Sequence, residues 1–512
     1  MASELRQLYE VFPSDSRSLV PLGIRADGAI FAQGLSAADP TSGVVAGTLK
    51  EQAQACFARM RELVQNGGGS LDNVARVTAY VLSAEDREPL YALWDALFPR
   101  PDDRPAFKVL TGPLPPGRRI QLDVIAVPGA RRKRIDIANV EARDPTVVIG
   151  DWLFTSRLHG LSPATGRPLA GLQPQLSQAI ANARTLLELA GGDRQLVQLT
   201  TFGLGSSYRD GAHAALEAAV KAEARPPARN VLHSWVRPGT EAMVEAVALA
   251  RSNGHDFREL FLAPMHSNQA AGLKYGRLVF AGGLAPIDAR GELVTGGGVE
   301  AQLRAVLTNM DRLMADAGCG RADVARASFY LRDLNDRPVL NSVWQEWFPD
   351  PQDRPPHTYM PAALPVGQDV ALQLIALAGA TRKVLSVAGV EHGDPMSLGA
   401  VVGNLLVSSR IFGSATSSNT DTPEEHVAKC FETAAALLSA GGTDWRNVSQ
   451  LCAYASSPEF RGPVQRLLSQ ILPQAESARL DFLQTDLGRR TLLPRLQLLA
   501  VKHVKEPDDT KG

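Results

Sequence analysis

Apolar residues recur along this chain in two alternating rhythms. In AQACFARMRELVQNGGG (residues 53–69) they fall at helical spacing, and the run stops at glycines, as a helix C-terminus should. QLSQAIANARTLLELAGG (175–192), AQLRAVLTNMDRLMADAG (301–318) and HVAKCFETAAALLSAGG (426–442) repeat the pattern. Ahead of each predicted helix stands a short apolar stretch: AIFAQG (29–34), WLFTSR (152–157), LVFAGG (278–283) and LLVSSR (405–410). A polar loop rich in Gly, Pro, Ser and Thr separates stretch from helix. After the helix come a strand such as VARVTAYVLS, a second helix such as EPLYALWDALFP, and two closing strands. The last of these reads LDVIAV (122–127), VEAVALA (244–250), LQLIALA (372–378) and LQLLAV (496–501).

The rhythm is therefore written four times. FPRPDDRP (98–105) returns as FPDPQDRP (348–355) at an offset of 250, as does NVARVTAY (73–80) in DVARASFY (323–330). The triplets PAR (227–229) and SAR (477–479) keep the same offset, and Ala126, Ala248, Ala376 and Ala500 of the final strands lie 122, 128 and 124 residues apart. A unit of about 250 residues has been duplicated, and each half is itself two units of about 125. At 512 residues the chain exceeds what one hydrophobic core sustains. The expected domains are 1–130, 131–255, 256–382 and 383–512, each of α/β (α+β) class, a mixed sheet with two helices packed on one face. The proline-rich phrase marks the exit of the second helix.

Element order, unit length, the triplets PAR and SAR, and the form of the final strand resemble the Rid (YjgF, reactive intermediate deaminase) superfamily, over essentially the whole chain as four tandem copies. The resemblance implies a chorismate mutase-like architecture and homo-oligomers with trimer-like rings of domains, with clefts between neighbours. It also implies cofactor-free hydrolysis of 2-imino acids such as 2-aminoacrylate to 2-keto acids and ammonia. In the family an arginine of the penultimate strand grips the substrate carboxylate with a planar fork. A glutamate of the final strand activates water.

Carried onto this chain, the resemblance places the arginine in the even copies, as Arg229 and Arg479. The odd copies have Ala106 and Pro356 there, followed by Phe107 and His357. Hairpin ends alternate likewise: Ser156-Arg157 and Ser409-Arg410 against Gln33-Gly34 and Gly282-Gly283. The glutamate position holds Gln121, Met243, Ala371 and Arg495. Two residues further on, on the same strand face, stand Asp123, Glu245, Gln373 and Gln497. The candidate substrate-binding residues are thus Arg229, Arg479, Ser156, Arg157, Ser409 and Arg410, and the candidate catalytic residues are Glu245, Asp123 and His357. Odd and even copies are expected to pair into composite clefts.

Composition narrows the classes. Lys and Arg number 53 against 54 Asp and Glu, a formal net charge of −1, which argues against a general nucleic-acid or membrane-surface binder. RRKR (131–134) falls at a predicted boundary and reads as a solvated linker. Cys56, Cys319, Cys430 and Cys452 form no paired motif, so neither a disulfide framework nor a metal site is indicated. No apolar leader or long apolar run appears, and cytoplasm is the default. The expected partner is a small anionic metabolite, with no cofactor. The first reading is a hydrolase, imine deaminase-like, or a biosynthetic tailoring enzyme. The alternatives are a non-catalytic small-molecule-binding or scaffold protein and a chorismatase-like hydrolase.

Overall fold

The computed structural model describes residues 4–39, 42–45, 47–137, 145–162, 164–204, 206–221, 225–234, 236, 239–262, 269–412, 422–455, 458–471, 478–484 and 494–502. Its first unit comprises β1 (Leu8–Val11), β2 (Gly23–Ala26), β3 (Ala29–Ser36), α1 (Leu49–Asn66), β4 (Val74–Val81), α2 (Arg87–Leu97), β5 (Ala106–Thr111) and β6 (Ile120–Ala126). The second has β7 (Arg132–Ile135), β8 (Thr146–Ile149), β9 (Trp152–Phe154), β10 (Leu158–His159), α3 (Leu172–Ala190), β11 (Arg194–Gly203), α4 (Ser206–Val220), β12 (Ala228–His233) and β13 (Ala242–Ala250). The third runs β14 (Phe257–Leu260), β15 (Gly272–Tyr275), β16 (Leu278–Leu284), α5 (Gly298–Asp316), β17 (Val324–Leu331), α6 (Arg337–Trp347), β18 (His357–Pro361) and β19 (Val370–Leu377). The fourth runs β20 (Arg382–Leu385), β21 (Gly399–Val402), β22 (Leu405–Ser408), α7 (Pro423–Ala440), β23 (Val448–Ala455), α8 (Arg461–Ile471), β24 (Arg479–Gln484) and β25 (Arg495–Val501).

All four sheets share one order, in the first β1-β2-β3-β6-β4-β5, with β4 and β5 parallel and the other neighbours antiparallel. Two helices cover one face. On α1 the buried residues Ala53, Cys56, Phe57, Met60, Leu63 and Val64 keep helical spacing, and a capping box of Thr48 and Glu51 starts the helix. The sheet's other face looks inward. There an apolar core gathers Phe31, Trp152, Phe257, Tyr275, Val407 and others from all four units, with Phe31 5.3 Å from Tyr275, ring centre to ring centre.

A feature absent from the sequence pattern recurs four times. The register between the third-from-last and the last strand slips between Val74 and Arg76, Leu196 and Gln198, Val324 and Arg326, and Val448 and Gln450. Such a bulge re-aims a side chain. Here it turns Arg76 and Arg326 in the odd units, and Gln198 and Gln450 in the even ones, toward the interior, where each meets another unit.

The units close a ring on themselves. Strand β4 packs on β8, β11 on β14, β17 on β21 and β22, and β23 on β1, while β3 and β16 touch across the middle. The ring therefore contains two three-unit junctions, one joining units one, two and three and the other units three, four and one. Each is plugged by an apolar cluster, around Tyr80, Phe202 and Phe261 in one and Phe12, Tyr330 and Tyr454 in the other.

The repeated proline phrase has a second role here. Arg104 and Arg354 within it donate through Nε to the carbonyls of Phe98 and Phe348, both at 2.8 Å. The carbonyls of Asp103 and Asp353 accept from Arg132 and Arg382, the first residues of the next sheet. RRKR is thus not the solvated linker expected: it opens β7, and Arg132 also donates to the Leu71 and Val74 carbonyls. Among the described residues no helix is long and apolar enough to cross a membrane.

Candidate functional site

The two junctions carry different charges on the same frame. In the first, Arg76 meets Glu259 Oε1 at 2.6 Å and Lys108 Nζ donates to Glu245 Oε2 at 2.6 Å. Gln198 donates to Glu259 Oε2 at 2.8 Å. Burial would raise the Glu259 carboxyl, but the charges of Arg76 and Lys108 outweigh it and hold that carboxyl low. In the second, Arg326 meets Glu10 at 2.7 Å and Gln450 Nε2 donates to the Glu10 carbonyl at 2.9 Å. Strand register matches Lys108 to Thr358 and Glu245 to Gln497, so the second junction lacks that ion pair.

Asp123 stands one layer above Arg76. Its Oδ1 accepts from the Gly34 N–H at 2.8 Å and its Oδ2 from the Tyr80 hydroxyl at 2.9 Å. Burial pushes its pKa up to about 7, partly opposed by those two donors. It borders a pocket of about 20 Å³, room for one water, shared with Gln33, Arg76, Thr78 and Glu259.

Gln33 also borders a second cavity, about 320 Å³, where units one and three meet. Both odd hairpin ends open into it: Gly34 and Gln121 on one wall, Gly282, Gly283 and Ala371 on the other. The first wall adds Arg59 and Arg118, and the third unit adds Leu262, Leu284 and Ile287. Arg118 donates through Nη1 to Gln121 Oε1 at 3.2 Å, while its buried Nε–H has no partner. Burial lowers its pKa to about 10, so it stays a cation at neutral pH. A chamber lined about equally by polar and apolar groups, with two arginines on one wall, suits a small carboxylate.

The residues expected from the sequence are dispersed. Asp123 lies directly behind the cavity wall, at Gly34. Glu245 is committed to Lys108 and is no free base. His357 is a core residue, fully buried beside Trp344 and Phe329, with both ring nitrogens unpartnered and its pKa lowered to about 3 by burial; that corrects its expected catalytic role. Arg229 pairs in register with Leu199, whose side chain faces the helices, so Arg229 lies exposed on the outer face and not in the junction. Arg479 faces inward opposite Gln450 but is held by Asp481 at 2.9 Å and by the Asn66 carbonyl. The two arginines, equal in the aligned letters, are one residue out of structural register, and a one-residue slip swaps faces. Ser409 bonds the Leu398 carbonyl and His392, fastening the hairpin. Ser156 Oγ is buried without a partner, and so is Nη1 of the half-buried Arg157. Arg410 is buried over the ring of Tyr454. Arg118 and Tyr80 escaped the sequence reading, since nothing in their spacing distinguishes them from loop and strand residues, and Gln121 entered it only as the occupant of the family's glutamate position.

The chain is similar to known proteins. A family model described as Endoribonuclease L-PSP matches residues 13–128 and 262–378. A RutC family protein of Sulfurisphaera tokodaii is 36% identical over 84 residues, which are 16% of this chain and 65% of that protein, so the chain spans just under two thirds of its length. The 2-iminobutanoate/2-iminopropanoate deaminase of Capra hircus is 36% identical over 106 residues, 20% of this chain and 74% of that one. The 3-aminoacrylate deaminase RutC of Acinetobacter baylyi is 30% identical over 105 residues, 20% and 81% of the respective chains.

Proposed function

Because this chain belongs to the Rid superfamily, with repeated units of that fold, we propose that it is a cofactor-free hydrolase of small carboxylates bearing an imine or enamine, working in the cavity between its first and third units. The observation that carries this reading is a carboxyl with pKa about 7 at the hairpin end, directly behind a chamber lined by Arg118. Arg118 takes the substrate carboxylate, in place of the even-unit arginines. Gln33 and Gln121 orient a water against the imine carbon. The new C–O bond forms as the imine nitrogen takes up a proton, giving a carbinolamine; its C–N bond then breaks, releasing ammonia and a 2-keto acid. Asp123 exchanges the proton through the one-water pocket it shares with Gln33, its pKa matched to neutral pH.

The test is ammonia release from 2-aminoacrylate generated in place, by wild type, Arg118→Ala and Asp123→Asn. Arg118→Ala should raise KM, and Asp123→Asn should lower kcat by about 10²–10⁴-fold, the usual worth of a general acid–base. A wild-type chain that binds pyruvate but releases no ammonia would overturn the hydrolase and leave a binding protein.

A further inference from the structure

Buried charges in folded chains are paired or hold a ligand. Arg410, at the end of the β22 hairpin, is 8% exposed, yet its Nε and Nη2 atoms have no hydrogen-bond partner. Its guanidinium carbon lies 4.7 Å from the centre of the Tyr454 ring. The groups whose charge it feels most are Tyr454, Arg495, Tyr359 and Tyr330, which include a second cation and no carboxylate. The first junction shows what is missing: Lys108 and Glu245 neutralise one another there, whereas Thr358 and Gln497 stand at the matching places of the second. The other buried arginine of the second junction, Arg326, already has Glu10.

The two unpartnered atoms are on one edge of the guanidinium, the edge that grips a carboxylate with two parallel bonds. This chain uses that edge elsewhere: Arg321 donates from Nε and Nη2 to the two oxygens of Asp311, at 3.0 and 2.6 Å. On the facing sheet, Thr358 Oγ1 and Gln373 Nε2 are also buried without partners, flanking Ser328 in one row. We propose that Arg410 is the anchor of a second ligand site, at the junction of the third and fourth units, which takes a small planar monocarboxylate on its Nε–Nη2 edge. The site shares no residue with the cavity holding Arg118, and the apolar cluster of Tyr330, Tyr454 and Ala371 lies between them. It therefore stands whether or not the cavity hydrolyses an imine.

The probe is acetate, with chloride at equal ionic strength as the control, read by thermal unfolding of the full chain. Wild type should gain stability with acetate over chloride. Arg410→Met should lose the acetate response and, freed of a lone buried charge, melt higher than wild type in chloride. Arg410→Lys keeps the charge without the fork, and its apparent Kd for acetate should rise about tenfold to a hundredfold, the worth of one charged hydrogen bond. If Arg410→Met fails to fold, Arg410→Lys decides, and an unchanged Kd there overturns the proposal. So does a wild type that does not distinguish acetate from chloride. Arg118→Ala should retain the response; its loss there, with retention in Arg410→Met, would place the carboxylate in the other cavity and also overturn the proposal.

Discussion

Asp123 links the chemistry to a stability measurement that needs no substrate. Its folded pKa is about 7, against about 3.9 for a free aspartate. The shift is upward, so the stability the protonated group contributes is complete below about pH 4, falls as pH rises, and is gone above about pH 7. That upward shift is worth at most about 4 kcal/mol, lessened by the water-sized pocket beside the carboxyl. Asp123→Asn imitates the protonated acid: its carbonyl can accept from the Gly34 N–H, and its amide can donate to the Tyr80 oxygen. The variant does not titrate, so it should gain on wild type by about 2–3 kcal/mol between about pH 5 and pH 8. Urea midpoints of both proteins at the two pH values measure that difference. If it stays within a few tenths of a kcal/mol, the carboxyl is ionised throughout and the proton-exchange role fails with it.

The junctions and the core supply further tests. Lys108→Thr or Glu245→Gln alone should cost about 3–5 kcal/mol by stranding the other buried charge, while the double variant, which copies the second junction, should recover most of it; urea unfolding of the cycle decides. Arg382→Ala, removing a buried side chain that bonds the Asp353 and Val324 carbonyls, should cost about 2–4 kcal/mol by calorimetry, since the accepting carbonyls lose their partner. His357→Phe restores the residue of the first unit, Phe107, and removes two unsatisfied ring nitrogens; it should stabilise by about 1–3 kcal/mol, seen as a higher Tm.

The letters carried much of this and missed what depends on register. Helix periods, glycine stops and the offset of 250 announced four mixed sheets with two helices each, because those signals are local and repeat. The step of two from Gln121 to Asp123 also held, since both lie on one unbroken strand whose side chains alternate. The bulges before Arg76, Gln198, Arg326 and Gln450 leave no mark in composition, yet they choose which side chains meet at the junctions. The same blindness made Arg229 and Arg479 look alike: counting from PAR and SAR puts them level, while pairing with β11 and β23 sets them one residue apart and on opposite faces. His357 looked like chemistry because histidine can do chemistry; its Trp344 and Phe329 neighbours, distant in the chain, make the site apolar. The cavity itself joins units one and three, which are not consecutive, so pairing each odd unit with its even neighbour pointed away from it.

The claim that substrate occupies this cavity is tested most directly by filling it. Gly283 lines the wall opposite Gly34, has no atom within 4 Å of where a Cβ would stand, and carries no strained backbone angle, so Gly283→Phe should fold as wild type does. The measurement is kcat/KM for ammonia release from 2-aminoacrylate by Gly283→Phe, with Tm recorded alongside. Turnover abolished at an unchanged Tm is the predicted result. Turnover retained by a folded Gly283→Phe protein would contradict the account and place the reaction elsewhere in the ring.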